Sequence, residues 1–333
     1  MPSRYGLKQS VEILSFVLVN PNEFKGVRQT SMKQPFLYIA YQLLIESELA
    51  LPELLATGRS DSVADVRICQ GSVGAPDADG RQQVGPFAWC KANELWLEIP
   101  GIGRFLARLG RMIIVETDPA TAPESVRLFL LGSVLGALLA QRGLLVLHGN
   151  AVRIGDHCLV CIGPSGVGKS TLAAGFMKRG FKVLADDVVP IDRDNRALPG
   201  FPRVKLWQDS ASRLDVDTSV LRRLRPHMEK FNCPIGEHFE TQAIPVRWIY
   251  LLTTHPGEQV QFTEVSGVQR FTCLRANSYR LRFLNEPAPQ AEHLLQCGKL
   301  ASDVSLRRVS RPVAGFEVDG VIDAILADIQ AQA

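Results

Sequence analysis

Apolar and polar residues alternate over short stretches through the first third of the chain. Residues 37–45, 64–69, 94–99, 105–109 and 112–116 carry the two-residue period of half-buried strands. Leu109-Gly110-Arg111 places a glycine where a tight hairpin would join the last two. Residues 74–85, rich in Gly, Asp and Pro, read as a loop. The period then changes. Residues 123–141 predict one buried helix, begun by Pro123 and ended by Arg142-Gly143. Its uncharged stretch, 128–140, is thirteen residues long, short of the roughly 20 that a membrane span needs, so no membrane span is expected.

From residue 144 strands and helices interleave. Residues 144–154 and 157–162 are apolar and β-branched around Gly155-Asp156, a two-residue turn with Gly first, which predicts an antiparallel hairpin. A short helix over 172–180 stops at Gly180, and 181–185 reads as the next strand. Residues 188–191 and 204–207 predict strands flanking a loop at 192–202, which starts with the turn Asp192-Arg193-Asp194-Asn195-Arg196. Further strands are expected at 246–253 and 260–264, and a helix at 289–297. A last helix at 320–330 presents Val321, Ile322, Ile325, Leu326 and Ile329 on one face as core packing. There is no internal repeat and no low-complexity tract.

Composition narrows the class. The 333 residues are 46% hydrophobic and 21% charged, as in ordinary globular chains. A net charge of +3 is too slight to imply nucleic acid, and Leu221-Arg222-Arg223-Leu224-Arg225 reads as a solvated helix face. Seven scattered cysteines point to a reducing, cytoplasmic compartment rather than a disulfide framework. Cys158 and Cys161 have the spacing of a metal pair, but positions three apart on a strand face opposite ways, so both are expected in the core. Arg4 and Lys8 precede an apolar stretch at 11–19, yet Glu12 interrupts it and no small-residue cleavage site follows, so secretion is not expected.

The chemistry concentrates in Gly163, Pro164, Ser165, Gly166, Val167, Gly168, Lys169, Ser170 and Thr171. Glycine, four residues, glycine, lysine and a hydroxyl form the pattern of a phosphate-binding loop. Its glycines let backbone N–H groups turn inward, its lysine reaches the outer phosphates, and its first hydroxyl ligates Mg²⁺. An apolar strand before it and a helix after it supply the setting that such a loop needs, with the helix start adding its positive end. Seventeen residues after Lys169, the next strand ends in Asp186-Asp187, an acidic pair placed for metal binding and proton transfer. If the hairpin pairs Ile154 with His157, the same register sets His148 opposite Gly163, at the mouth of the phosphate site.

At these residues the sequence resembles the HPr kinase family, bacterial protein-serine kinases whose catalytic domain holds a histidine, a phosphate-binding loop and a double aspartate. The matching words are His148-Gly149, the loop from Gly163 to Ser170, and Arg179-Gly180 followed by Ala185-Asp186-Asp187. The resemblance implies Asp186 as catalytic base assisted by His148, Lys169 on the transferred phosphoryl group, and Ser170 with Asp187 on the metal. In place of that family's Glu-x-Arg-Gly signature the chain has residues 198–207, so neither HPr as acceptor nor the reverse phosphatase reaction is carried over. Residues 47–54, 198–207 and Lys230 ahead of Trp248-Ile249-Tyr250-Leu251 are similar in layout to the branch encoded with peptide-modification systems, which includes lasso-peptide precursor kinases. By this resemblance alone, Lys230 is a second phosphate clamp.

The resulting expectation is an α/β protein with a β-rich N-terminal module at 1–122 and a phosphate-loop domain of HPr-kinase type with a mixed sheet at 123–333. It would use ATP and Mg²⁺ to phosphorylate a serine of a small carrier protein or ribosomal peptide precursor. A nucleotide-binding regulatory module or NTPase, and a kinase for a small metabolite, stay open, as does a homo-oligomer.

Overall fold

The alternating stretches of the first third assemble into one large sheet. The computed structural model describes residues 34–58, 62–76, 80–284, 287–313 and 317–332, with 287 and 288 as backbone only. The stretch weighed as a secretion signal lies outside the described residues, as does part of the 74–85 loop. Residues 33–333 form one compact unit, within which the expected boundary at 122 falls.

The strands are β1 (Phe36–Ala40), β2 (Leu43–Ser47), β3 (Leu55–Ala56), β4 (Val66–Gln70), β5 (Gln82–Gly85), β6 (Ala88–Lys91), β7 (Glu94–Ile99), β8 (Gly103–Arg108) and β9 (Met112–Thr117). They lie in the order β3-β1-β2-β4-β9-β8-β7-β6-β5. The hairpin at Leu109-Gly110 pairs Arg108 with Met112, and both turn residues have positive φ. Residues 37–45 differ from expectation. They fold as a hairpin rather than one strand, turning at Tyr41 and Gln42 with φ of 54° and 60°. Tertiary contacts override the strand tendency there: Tyr41 N–H donates to Pro199 O at 2.7 Å, and its buried ring meets Phe201 edge-on.

The buried residues of this sheet, among them Ile45, Ile68, Phe105 and Ile113, share one apolar cluster with the helical run that follows. That run is continuous over Pro123–Gln141, as α1 (Pro123–Phe129), a π turn at Leu130–Val134 and α2 (Leu135–Gln141). The 19 residues are long and apolar enough to cross a membrane, but 72% of the most apolar window is buried inside the protein, as in a core helix.

The remaining strands are β10 (Leu145–Leu147), β11 (Gly149–Ile154), β12 (His157–Ile162), β13 (Val183–Asp186), β14 (Val189–Ile191), β15 (Arg196–Ala197), β16 (Arg203–Trp207), β17 (Arg222–Arg223), β18 (Lys230–Pro234), β19 (Ile244–His255), β20 (Gln261–Glu264) and β21 (Ser305–Pro312). The helices are α3 (Lys169–Lys178), α4 (Gln208–Arg213), α5 (Val268–Ala276), α6 (Pro287–Asp303) and α7 (Val318–Gln330). A second sheet runs β10-β14-β15-β19-β12-β11-β13, with β21 and β20 added beside β19, and β16-β18-β17 form a small third sheet. The second sheet is mixed: β12 pairs antiparallel with β11 and parallel with β19. The protein is thus a mixed α/β fold.

Residues 144–154 split at His148, whose backbone N–H leaves the ladder and donates to Asn277 O at 2.8 Å. Arg222 and Arg223, expected on a helix, instead form a short edge strand against Phe231 and Asn232. The second sheet buries apolar clusters on both faces. Cys161 joins Leu172, Phe176 and the α7 residues Val321, Ile322 and Ile325 on one side, while Cys158 joins Val160, Leu274 and Leu300 on the other. The strand-face argument for the two cysteines therefore holds. All seven cysteines are free.

Candidate active site

Two antiparallel ladders bring the loop and the acids to one edge. β11 pairs with β12 on one side and β13 on the other, so β12 and β13 run in the same direction and finish together. The β11–β12 register pairs Ile154 with His157 and Gly149 with Ile162, as the turn predicts. A Cβ on Gly149 would sit 2.4 Å from Cys161 O, so a side chain there would push the hairpin open.

β12 ends in the glycine-rich turn. Gly163 has φ 143°, and a Cβ on it would lie 2.5 Å from Leu252 O. Gly168, φ 105°, precedes the first turn of α3. Lys169 is buried, and its ammonium donates to Gly163 O at 2.7 Å and Pro164 O at 2.9 Å. Those bonds use two of its three N–H donors. Arg311 on β21 supports the turn from behind by donating to Val167 O at 3.0 Å. The buried Asn150 amide donates to Lys169 O and so ties β11 to the start of α3.

The acids part company as adjacent strand residues must. Asp186, paired with Asn150 across the ladder, accepts the Ser170 hydroxyl at 2.9 Å on Oδ1 and the Lys205 backbone N–H at 2.8 Å on Oδ2. Asp187 leaves the strand with φ 77°. Its Oδ2 accepts the Lys205 ammonium at 2.6 Å, and its Oδ1 lies 3.4 Å from His148 Nδ1. His148 Nδ1 is also 3.1 Å from the Asp187 carbonyl oxygen, an acceptor only, so Nδ1 carries the proton. The structure therefore sets Asp186 beside Ser170 and Asp187 beside His148. The family resemblance implies the opposite arrangement, Asp186 by His148 and Asp187 by Ser170.

These surroundings push the two carboxyls apart. Burial raises the pKa of Asp186, and the nearby Asp187 charge adds to the rise; the Lys205 N–H and the Ser170 hydroxyl oppose it without cancelling it. Burial works to raise Asp187 as well. There the Lys205 ion pair, with help from His148 and Lys230, outweighs burial and holds Asp187 well below the usual carboxylate range. His148 is lowered by burial and by Lys169, so it is a neutral imidazole near pH 7. Burial also lowers Lys169 and Lys205, against the pull of the two acids.

Two adjoining cavities open on this cluster. The smaller, about 130 Å³, is lined by Gly166, Gly168, Lys169, Ser170 and Asp186, with Lys230 and Trp207 at its far side. The larger, about 580 Å³, lies between Phe129 and Ser133 of the long helical run and the Asn277–Arg280 segment. His148, Ser165, Asp187 and Lys205 line both. Cavities of about 480 and 520 Å³ around His293 contain neither the loop nor the acids. Lys230 reaches the smaller chamber with its ammonium 5.4 Å from the Trp207 ring centroid, and Trp207 is 49% exposed.

Ser170 Oγ and Asp186 Oδ1 together make a seat of two hard oxygens. Among the described residues no group of three or more His, Cys, Asp or Glu could form an all-protein cage. This donor set fits Mg²⁺, which keeps several waters and takes its other ligands from phosphate oxygens.

Sequence reasoning passed over Lys205, Asn150 and Arg311. The signal for Lys205 was present: Arg203, Lys205 and Trp207 alternate along a five-residue strand in which the first four positions are buried. Charged side chains on a buried strand need partners: Arg203 donates to Asn232 Oδ1, and Lys205 finds the acids. Asn150 and Arg311 act through backbone carbonyls and leave no spacing to read.

No family model matches the sequence. No curated protein matches it either. Among solved structures it is similar to the HPr(Ser) kinase/phosphatase from Coxiella burnetii, at 10% identity and a TM-score of 0.31, over 56% of this chain and 91% of that one.

Proposed function

We propose that this protein is an ATP- and Mg²⁺-dependent kinase that transfers the γ-phosphoryl group to a serine hydroxyl of a peptide or small carrier protein. One observation carries the reading: Ser170 is bonded to Asp186 beside Lys169, while Asp187 and His148 face a second chamber that shares a wall with the first. A regulatory nucleotide-binding module would have use for the first arrangement and none for the second.

In this reading the turn at residues 163–171 cradles the β- and γ-phosphates with its backbone N–H groups. Lys169 turns its third N–H to a phosphate oxygen. Ser170 and Asp186 hold Mg²⁺, which supplies charge neutralisation on the phosphate oxygens when bound. Lys205 and Lys230 add two cations to the same chamber. Against the charges of Asp186 and Asp187, the three lysines leave an excess of one positive charge, which suits a polyphosphate.

Asp187 receives the acceptor hydroxyl. Its depressed pKa makes it a weak base, which the reaction tolerates. The transition state of phosphoryl transfer is loose, so the nucleophile keeps most of its proton until late and mainly needs orientation. His148 gives its Nδ1–H to the Asp187 carbonyl oxygen and so holds the turn that presents the carboxylate, whose Oδ1 lies 3.4 Å from the same nitrogen. The roles of the two acids are thus exchanged relative to those implied by the family resemblance.

The test is a radiolabelled transfer assay on serine peptides with Mg²⁺-ATP affinity measured in parallel. Lys169→Met should remove both. Nucleotide affinity that survives in Lys169→Met, in a protein with an unchanged circular dichroism spectrum, would refute the phosphate-loop assignment.

A further inference from the structure

The second chamber carries more than a hydroxyl site. Some arginines of the protein sit against acids, as Arg127 on Glu53, Arg153 on Glu240 and Arg179 on Asp323, and others against aromatic rings, as Arg247 by Trp248 and Arg282 by Phe283. Two of the second kind flank this chamber. Arg280, exposed and lining the cavity, stacks by Tyr279 with its guanidinium carbon 5.8 Å from the ring centroid. Arg225 lies beside Phe129 of the opposite wall at 5.9 Å from that ring. Among the described residues neither has a carboxylate within ion-pair distance. The rings flank the two guanidiniums, and Arg280 spends one N–H on the Tyr279 hydroxyl, which leaves further N–H donors for a carboxylate from outside. Among the described residues Asp187 is the only carboxylate lining the chamber, and it is already matched to Lys205.

We infer that the phosphoryl acceptor is an acidic peptide segment, its serine directed at Asp187 and its flanking carboxylates bound by Arg225 and Arg280. This rests on the kinase reading above and goes further by naming the acceptor's chemistry. A peptide fits better than a small metabolite because Arg225 stands outside the lining of the 580 Å³ cavity, so the cationic ground continues past it. An extended chain advances about 3.3 Å per residue, so a few residues on either side of the serine cover such ground. Arg222 and Arg223, exposed on the edge strand just before Arg225, extend it further.

The experiment uses the full chain and two readouts. In the first, fluorescence anisotropy follows labelled peptides of the forms Glu-Glu-Ser-Glu-Glu and Lys-Lys-Ser-Lys-Lys without nucleotide. In the second, phosphoryl transfer to the same peptides is measured with Mg²⁺-ATP. The expected result is at least tenfold preference for the acidic peptide in both, shrinking as salt is raised past the screening range. The double variant Arg225→Glu/Arg280→Glu should abolish that preference, raising KM for the peptide with little change in kcat, and Arg225→Lys/Arg280→Lys should restore part of it. Equal binding of the two peptides, or a preference that survives charge reversal, overturns the inference. So does equally tight, variant-sensitive binding of a single-stranded oligonucleotide, which would mark a general polyanion surface. If Mg²⁺-ATP fails to bind the wild-type protein while the acidic peptide still binds, the kinase reading has failed and the arginine site for acidic peptides has not.

Discussion

Replacing each aspartate in turn by asparagine separates the roles that the geometry gives them. Asp186 accepts two hydrogen bonds, from Ser170 Oγ and Lys205 N. An amide can accept only one of them, and turns its NH₂ toward the other donor. A buried donor left unpaired costs about 1–3 kcal/mol, and the metal seat loses its charge as well. Asp186→Asn should therefore weaken Mg²⁺-ATP binding by about tenfold to a hundredfold, the equivalent of about 1.4–2.8 kcal/mol. Asp187→Asn acts elsewhere. Its amide oxygen can still accept from Lys205, yet the lysine's charge, with a side chain only 6% exposed, loses its counter-ion. Removing one partner of a buried pair costs about 3–5 kcal/mol at the upper end, so the ligand-free variant should melt earlier than wild type.

Phosphates that arrive in the chamber supply a new partner for Lys205. Mg²⁺-ATP should then stabilise Asp187→Asn more than it stabilises wild type, because ligand binding to the folded state raises stability by mass action. Its nucleotide affinity should match wild type or exceed it. Transfer to a serine peptide should fall by about 10²-fold, the usual loss when a nucleophile is no longer held in its reacting geometry. Titration calorimetry, thermal melts with and without Mg²⁺-ATP, and the transfer assay decide the matter together. The reasoning fails if Asp187→Asn loses nucleotide binding while Asp186→Asn binds normally and transfers poorly, which is the pattern that the family resemblance implies.

The pH dependence follows from the same pair. Because the Asp186 pKa is raised and that of Asp187 lowered, acidification protonates Asp186 first, so Mg²⁺-dependent nucleotide binding should weaken at a pH above the ordinary aspartate value of 3.8; this acid limb should vanish from the affinity profile of Asp186→Asn. Cys158→Ala/Cys161→Val should keep nucleotide affinity within about threefold, since the two thiols lie in clusters on opposite faces of the sheet, and elemental analysis of the wild-type protein should show no stoichiometric zinc. Gly149→Ala should lower the melting temperature, because its Cβ would meet Cys161 O at 2.4 Å in backbone that cannot move aside cheaply; an unchanged melt would refute that contact.

Much of the architecture was legible because it rests on local rules. The change from a two-residue period to a long apolar run marks where the first sheet ends and α1 begins. The Gly155-Asp156 turn fixes the β11–β12 register as far as Gly149 and Ile162; His148 leaves the ladder there instead of pairing with Gly163, yet lines one cavity with it. What escaped was set by distant contacts. The turn at Tyr41-Gln42 is held by Pro199 and Phe201, and the break at His148 by Asn277, partners more than a hundred residues away in the chain. β21 escaped as well: its eight residues, Ser305–Pro312, carry only three buried positions, Leu306, Val309 and Arg311, among arginines and serines.

The acidic pair shows where such reading stops and why. Strand alternation requires that Asp186 and Asp187 diverge, and they do. Which of them meets Ser170 depends on two things that no spacing encodes. The first is the pairing of Asp186 with Asn150, whose amide also reaches Lys169 O, so one residue of β11 sets both the strand end and the helix start. The second is the left-handed turn at Asp187, which Asp tolerates better than most residues and which swings its carboxylate toward His148 and Lys205. Lys205 completes the arrangement by giving its backbone N–H to one acid and its ammonium to the other. A single residue on a separate sheet thus lowers one carboxyl, while burial, with the Asp187 charge beside it, raises the other against its neutral donors. The different tasks proposed for two identical side chains rest on that asymmetry, and the contrast between the two asparagine variants measures it.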